Sequence, residues 1–317
     1  MTSALSIASV STRSFHDHDP CRFRPSTRPG VRVVCRLTSR CTLLCDHCLA
    51  GAAGNVRGSD LPLAVWQRIL AEAREIGAHK VLLTGGEPLL FEGLVELTHF
   101  VARMGISTDL NSTLWFMTQR LADELAQAGL TEASVALEGP EAIHDQMHGR
   151  LGALRRLRDG VAHLQQAGLL VDGSMCVTPA NLPHVEEMIR LAAAMGLKSF
   201  TISRLLPVGH GMHYSGPVVS EPDLARLHLA LSGARAGEFG IPVRCVALMG
   251  GPGREHCRQG QSLVGIRADG TLTPCVLTRD ALPDLPRPEE VGLASAVAEM
   301  RLALTRIEPT FCFGSSC

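Results

Sequence analysis

The chain has 317 residues, of which 45% are hydrophobic, and a formal net charge of −1. This length allows one large domain, or one domain with a smaller appendage, and the apolar content is sufficient for a sizeable core. The near-neutral charge gives no electrostatic reason to expect nucleic acid or an anionic membrane as a partner. No apolar run is long enough to cross a membrane, and the N-terminal segment lacks the apolar stretch of a secretion signal. We therefore expect a cytoplasmic protein.

The predicted elements begin after a polar, proline-containing segment at residues 1–30, which we expect to be a disordered tail. Residues 31–240 then alternate short apolar strands with helical periods, and this pattern predicts six consecutive βα units. Such an order is typical of an α/β fold with a parallel sheet, here a partial (β/α)6 TIM-like barrel. Residues 241–317 change in character and predict a strand, a hairpin that turns at Asp269-Gly270, and a helix over about 289–304. We expect these last residues to form a small C-terminal domain.

Three cysteines follow the first predicted strand, in the order Cys41-x3-Cys45-x2-Cys48. Eleven cysteines in a chain without a secretion signal favour metal or redox chemistry over disulfides. Thiolate is a soft ligand that selects zinc, copper(I) or iron–sulfur clusters. A structural zinc site normally has four protein ligands, and the count here stops at three unless His47 serves as the fourth. A four-iron cluster held by three cysteines instead keeps one iron open to a small molecule.

Further motifs end the next predicted strands, where binding sites of such barrels gather. Gly85 and Gly86 permit positive φ and a close backbone approach to a ligand, and Pro88 ends the second strand. Asn111, at the end of the third strand, can hydrogen-bond a ribose hydroxyl or cap a turn. Arg204, at the end of the sixth, requires an anionic partner, either a ligand carboxylate or Glu138.

The three cysteines, followed one βα unit later by Gly-Gly-Glu-Pro, resemble the radical S-adenosylmethionine (SAM) superfamily. The resemblance implies that Cys41, Cys45 and Cys48 hold a [4Fe–4S] cluster whose open iron binds SAM. It implies reductive cleavage of SAM by an external flavodoxin- or ferredoxin-like reductant and hydrogen abstraction by the resulting 5′-deoxyadenosyl radical. In this family the position of His47 lies near the adenine. The turn that holds the SAM amino group corresponds to Gly85, Gly86, Glu87 and Pro88.

A second resemblance, to the SPASM/twitch subfamily, lies in Ser134-Val-Ala-Leu-Glu-Gly-Pro140 and the following His-Asp and Gly-Arg pairs. Glu138 stands where that subfamily usually has Asp, and Ala136 where a serine is often found. The cofactor-binding residues that the resemblance adds are Asn111, Ser134, Glu138, Arg150 and Arg204.

Four C-terminal cysteines resemble the ligands of a twitch domain, which carries one auxiliary [4Fe–4S] cluster. They begin with Cys257-x12-Gly-x4-Cys275 and end with Cys312 and Cys317. A structural zinc ion at the same four thiols is the alternative. Cys245 is expected mid-strand at the barrel mouth, where radical SAM epimerases use a thiol as hydrogen donor. Its alternative role is that of a small apolar core residue.

The resemblance therefore predicts a radical SAM enzyme that abstracts hydrogen from a ribosomal peptide or a specialised metabolite. Residues 1–30 are too short and polar for a leader-binding domain, so a peptide substrate calls for a separate leader-peptide-binding protein. A carbohydrate or aminoglycoside dehydrogenase or epimerase of the same superfamily is the second interpretation. A non-catalytic zinc or iron–sulfur protein is the third.

Overall fold

The computed structural model describes residues 30–52, 54–55, 60–232, 238–246, 260–275 and 285–306. The predicted tail at 1–29 and the predicted ligands Cys257, Cys312 and Cys317 lie outside these residues. The strands are β1 Val31–Thr38, β2 Ala78–Gly85, β3 Ser107–Asn111, β4 Glu132–Ala136, β5 Leu170–Val177, β6 Phe200–Arg204, β7 Val243–Cys245, β8 Leu263–Ile266 and β9 Leu272–Thr273. The helices are α1 Leu63–Ala71, α2 Leu94–Arg103, α3 Gln119–Gln127, α4 Glu141–His148, α5 Ala153–Gln166, α6 Val185–Ala194, α7 Glu221–Ser232, α8 Pro288–Val291 and α9 Leu293–Leu304.

The nine strands found in the described residues form one open sheet, in the order β7-β6-β5-β4-β3-β2-β1-β8-β9. The first seven pair in parallel with their sequence neighbours, and this order confirms the predicted partial barrel. Alternate residues of each strand face the helices. In β4, for example, Ala133 and Val135 are buried in the main hydrophobic core, whereas Ser134 and Ala136 are half-buried on the inner face.

The barrel sheet extends beyond the predicted domain boundary at residue 240. β7 pairs in parallel with β6, with Cys245 opposite Ile202, and β8 pairs in parallel with β1 on the other side of the sheet. The predicted hairpin is confirmed, since β8 and β9 are antiparallel and Gly270 adopts φ +87° in the turn between them. The predicted helix over 289–304 is interrupted at Gly292, also at positive φ, which separates α8 from α9.

Helix α4 was not predicted from the sequence. It buries His144, Asp145 and His148 against the barrel. The Asp145 carboxylate accepts hydrogen bonds from the backbone N–H groups of Gly152 (2.6 Å) and Leu154 (3.0 Å), and so fixes the start of α5. Among the described residues, no helix is both long and apolar enough to span a membrane.

Candidate active site at the carboxyl ends of the strands

The three cysteines lie on a loop directly after β1, residues 39–48, here called the cysteine loop. Asp60 holds the start of this loop through three contacts. Its carboxylate accepts from Thr38 Oγ1 (2.6 Å), Ser39 N (3.1 Å) and Arg40 Nε (3.0 Å). The Cys41 backbone N–H also donates to the Asn55 carbonyl at 2.6 Å. The base of the cysteine loop is therefore fixed by protein contacts alone.

Gly85, the last residue of β2, and Gly86, which follows it, bring this strand end against the end of β1 and the cysteine loop. The backbone N–H groups of Gly86 and Glu87 donate to the carbonyls of Thr38 (2.7 Å) and Arg40 (2.8 Å). A Cβ added at Gly86 would overlap the Arg40 carbonyl oxygen. The structure shows a close approach of Gly86 to the cysteine loop, and the predicted approach of this turn to a ligand stays a prediction. Pro88 is buried and begins a short 3₁₀ turn, Pro88–Leu90.

Glu87 links this turn to the end of β3. Its buried carboxylate accepts from Ser112 Oγ (2.6 Å), Thr113 N (3.0 Å), Thr113 Oγ1 and Leu89 N (3.1 Å). Burial raises the pKa of Glu87, and the hydrogen bonds from Ser112 and Thr113 oppose the shift. Contact between Glu87 and a SAM amino group stays a prediction.

Two of the three thiols, those of Cys41 and Cys45, lie in a small apolar cluster. Cys41 is buried with Leu43 and Ala52, and Trp115 packs against this cluster together with the half-buried Cys45. Burial raises the pKa of Cys41 and of Cys45, and neighbouring thiolates raise both further. A positively charged metal group would stabilise the thiolate form of these cysteines, which is the form that binds metal.

Arg36, on the inner face of β1, relates the cysteine loop to the C-terminal segment. Burial, together with Arg267, lowers the pKa of Arg36, whereas negative charge at Cys48 and Cys275 opposes this shift. The first described cysteine of the predicted auxiliary set is thus within electrostatic range of the same cation as Cys48.

Within the described residues, no three His, Cys, Asp or Glu side chains are placed to hold a single metal ion. In a [4Fe–4S] cluster each thiolate binds a different iron, so its three cysteines need not surround one point. Among the described residues, Thr42 Oγ1, next to Cys41, is also buried and lacks a hydrogen-bond partner. The three thiol donors and this unpartnered hydroxyl fit a bound cluster and its ligand better than a single zinc ion.

Glu138 joins the cysteine loop to the ends of β4 and β5. Its carboxylate lies 3.5 Å from His47 Nε2 and accepts from the backbone N–H of Cys176 at 2.7 Å. Burial alone would lower the pKa of His47, but the contacts with Glu138 and Asp46 outweigh it, so that the pKa is raised. His47 is therefore oriented by the protein, with its Nε2 facing Glu138 and its Nδ1 3.6 Å from Asp46 Oδ1.

Two histidines of α4 complete this side of the pocket. His148 Nδ1 lies 3.4 Å from Cys45 Sγ, and the ring of His144 packs on His148 with centroids 4.2 Å apart. His144 Nδ1 accepts the backbone N–H of Glu138 at 3.1 Å. Burial lowers the pKa of His144 to about 4 and, with His144 adjacent, that of His148 to about 3.

Three other predicted cofactor-binding residues lie at or near this mouth. Asn111 is exposed at the end of β3, and Ser134 is half-buried on the inner face of β4. Arg150 stacks over the Trp115 ring at 3.8 Å and donates to the Thr42 carbonyl at 3.3 Å. Arg150 thus holds the cysteine loop against the β3 segment.

Two predictions about side-chain direction are corrected. Arg204 lies on the face of β6 that carries Phe200 and Ile202, and it pairs with Glu221 of α7 (2.6 Å), not with Glu138 or the mouth. Cys245 is opposite Ile202 and packs against the main core, which does not suit a hydrogen donor at the mouth.

Cys176, which the sequence did not distinguish from core cysteines, lies on the inner face instead. It alternates along β5 with the buried Met175 and Val177, at the level where Glu138 accepts its backbone N–H. The spacing of His144 and His148, four residues apart, would have placed both rings on one helix face, but only once α4 had been recognised.

An open parallel barrel with a three-cysteine loop at its mouth defines the class of protein. The sequence model of the radical SAM superfamily matches residues 35–192, and this chain belongs to that superfamily. It is 30% identical over 195 residues to the PqqA peptide cyclase of Methylocella silvestris, covering 61% of this chain and 51% of the cyclase. It is 27% identical over 209 residues to the AdoMet-dependent heme synthase of Oleidesulfovibrio alaskensis, covering 64% and 54%.

The fold is similar to that of SuiB from Streptococcus suis bound to S-adenosylmethionine, with a TM-score of 0.72 at 15% identity. That similarity covers 89% of this chain and 67% of SuiB. SuiB bound to its precursor peptide SuiA gives a TM-score of 0.71, also at 15% identity, over 84% of this chain and 64% of SuiB. The chain spans about half the length of the curated relatives it matches.

Proposed function

We propose that this chain is a radical SAM enzyme that abstracts a hydrogen atom from a ribosomally made peptide. The observation that carries the proposal is the docking of the three-cysteine loop on the Gly85–Gly86 turn. It supports a metal group held at the mouth of the barrel, beside buried polar atoms without partners.

Cys41, Cys45 and Cys48 would hold the [4Fe–4S] cluster. When bound, the cluster supplies the electron that cleaves SAM and so generates the radical that abstracts hydrogen. Asp60 and Arg150 hold the cysteine loop in place, and Glu138 orients His47 at its edge. The remaining SAM-binding assignments, to the Gly85–Pro88 turn, Asn111 and Ser134, are part of the proposal.

The proposal also includes an auxiliary [4Fe–4S] cluster in a twitch-type domain, bound by Cys257, Cys275, Cys312 and Cys317. The hairpin before Cys275 and the common electrostatic neighbour Arg36 support this part. Zinc at the same thiols is the alternative, and metal analysis distinguishes the two.

A peptide substrate is supported by similarity to proteins named for peptides, a PqqA peptide cyclase and SuiB in complex with its precursor peptide. The partners that follow are a precursor peptide, a separate leader-peptide-binding protein and an external one-electron reductant. Cytoplasmic location belongs to the same proposal, since free thiols and such clusters require a reducing compartment.

Anaerobic reconstitution of the full chain tests the proposal. With iron, sulfide and reductant, we expect a brown protein that converts SAM to 5′-deoxyadenosine. Substitution of Cys41, Cys45 or Cys48 by Ser should reduce this cleavage by about 100-fold or more, because each removes a ligand to the cluster. Addition of short peptides encoded beside the gene should then give a peptide of altered mass.

Cys35→Ala is the matched control, because Cys35 is buried in β1 on the face packed against the helices. It should retain cleavage despite some loss of stability. Wild-type protein that binds zinc and does not cleave SAM would exclude the proposal. Cleavage coupled to oxidation or epimerisation of a sugar, with no peptide modified, would favour the dehydrogenase or epimerase interpretation.

A further inference from the structure

His148 contacts the cysteine loop through both its backbone and its side chain. Its carbonyl accepts the backbone N–H of Leu44 at 3.0 Å, and its ring Nδ1 lies 3.4 Å from Cys45 Sγ. Residue His148 is 4% exposed, and its ring packs against the ring of His144. Two separate contacts therefore fix the position of this imidazole beside one of the three thiols.

The direction of the hydrogen bond follows from the state of the thiol. A cysteine that binds iron has lost its proton and can only accept. A contact at 3.4 Å between Nδ1 and a thiolate sulfur is then favourable only if Nδ1 carries the proton, since a bare nitrogen lone pair would face negative charge.

The other ring nitrogen favours the same tautomer. His148 Nε2 is buried and has no hydrogen-bond partner among the described residues. A buried N–H without an acceptor is rarer and less favourable than a buried acceptor without a donor. The proton is therefore better placed on Nδ1, facing Cys45, than on Nε2.

We propose that His148 donates an Nδ1–H···S hydrogen bond to the Cys45 thiolate of the assembled cluster and thereby sets the ease with which the cluster is reduced. This inference rests on the proposed function, because it requires a cluster at the three cysteines. His148 is a positioning residue in this scheme and does not contact substrate.

The expected effect has a definite sign. A donor aimed at a cluster thiolate stabilises the more negative, reduced cluster and raises its reduction potential. Loss of this one donor should lower the ratio of reduced to oxidised cluster at a fixed applied potential about tenfold, which is 59 mV for a one-electron couple.

The direct test is pulsed EPR on the wild-type full chain, reconstituted, reduced, and grown with ¹⁵N-histidine. We expect a ¹⁵N coupling from one histidine to the reduced cluster. The coupling should disappear in His148→Phe, which keeps a planar ring without a donor. If the wild type shows no ¹⁵N coupling, or if the coupling persists in His148→Phe, the inference is wrong. The wild-type measurement decides this even if the variants assemble the cluster poorly.

Spectroelectrochemistry on three variants separates hydrogen bonding from packing. His148→Phe should shift the potential down by the stated amount, whereas His148→Asn, whose amide N–H can replace Nδ1–H, should restore most of the shift. His163→Phe removes a histidine that bonds Gln119 on the outer helices and should leave the potential unchanged. Equal shifts in the Phe and Asn variants at His148 would show a structural role only.

The two failures are distinguishable. A wild-type chain that assembles no cluster refutes the proposed function. A chain that assembles the cluster and cleaves SAM, but whose potential does not depend on His148, refutes only this inference.

Discussion

The two ends of the barrel hold their polar side chains in different ways. At the amino ends of the strands, Lys198 Nζ lies 2.5 Å from Glu132 and 3.9 Å from Asp172, and Lys80 lies 2.5 Å from Asp109. At the carboxyl ends, thiols, imidazoles and two buried glutamates line the mouth. In the part of the chain that the structure describes, Thr42 Oγ1 and His148 Nε2 are buried there without a hydrogen-bond partner, as is one oxygen of Asp109 at the other end.

This difference separates stabilisation from binding. Each lysine–carboxylate pair at the amino ends places a cation against a carboxylate, and the lysines are partly open to water, with 45% of the Lys198 side chain and 22% of the Lys80 side chain exposed. At the mouth, Glu87 and Glu138 are buried, and burial raises the pKa of the neighbouring thiols. Barrels of this kind place binding at the carboxyl ends and stability at the amino ends. Substitutions at the carboxyl ends should therefore affect binding of the cluster, whereas substitutions at the amino ends should affect only the stability of the fold.

The largest effect is expected for Gly86→Ala. The added Cβ would overlap the Arg40 carbonyl oxygen, so the turn and the cysteine loop would have to separate. We expect loss of cluster loading and a decrease of about 2 kcal/mol or more in the free energy of unfolding. Iron analysis after reconstitution and urea unfolding would measure the two effects.

Gly168→Ala is the control for this change. Gly168 has φ +81°, and no atom of the described residues lies within 4 Å of an added Cβ, so its replacement costs backbone strain of about 1 kcal/mol without touching the mouth. Equal iron loading in the two variants would contradict the docking role of Gly86.

The second effect concerns acid stability and His144. Burial lowers the pKa of His144 to about 4, against about 6.5 in an unfolded chain, so the unfolded state binds the proton first as the pH falls. His144 should therefore remove stability between about pH 6.5 and 4, by about 3 kcal/mol in total. His144→Asn keeps an acceptor for the Glu138 N–H and should flatten this part of the profile.

Urea unfolding at several pH values would measure the slope. Some slope should persist in His144→Asn, because His148 titrates over an overlapping range. An unchanged slope would show that His144 is not held neutral by burial.

The sequence predicted those features that depend on local order. Apolar periodicity placed the strands, and the motifs Cys41–Cys48 and Gly85–Pro88 were assigned to the ends where the structure finds them. It did not predict α4, because the segment from Glu141 to His148 contains few apolar residues with which to show a helical period. The histidine contact with Cys45 was missed for the same reason.

The sequence also did not predict the direction of individual side chains or the pairing of strands that are far apart in the chain. A shift of one residue turns a strand side chain to the opposite face, so the sequence alone did not determine the face of β7 on which Cys245 lies. The pairing of β8 with β1 joins segments more than 200 residues apart, for which no local pattern exists.

A smaller effect is expected for Arg150→Met. This change removes the stacking on Trp115 and the hydrogen bond to Thr42, which should cost about 1–2 kcal/mol and loosen the cysteine loop. Hydrogen exchange at residues 39–48 would report the loosening. Arg156→Met is the matched control, since its guanidinium lies 5.9 Å from the same ring, and equal effects in both variants would contradict the role given to Arg150.

The smallest effect is expected at the amino ends, for Lys198→Met. An ion pair this exposed contributes at most about 1 kcal/mol, so the free energy of unfolding should fall only slightly. Burial raises the pKa of Glu132, and Asp172 beside it adds to the shift. Without the lysine, protonation of Glu132 should relieve repulsion between the two carboxylates, so the loss of unfolding free energy should shrink as the pH falls.

Cluster loading and SAM cleavage should stay at wild-type levels, because no described contact of Lys198 reaches the mouth. A loss of loading in Lys198→Met, measured as iron per chain, would mean that the two ends are coupled through the sheet.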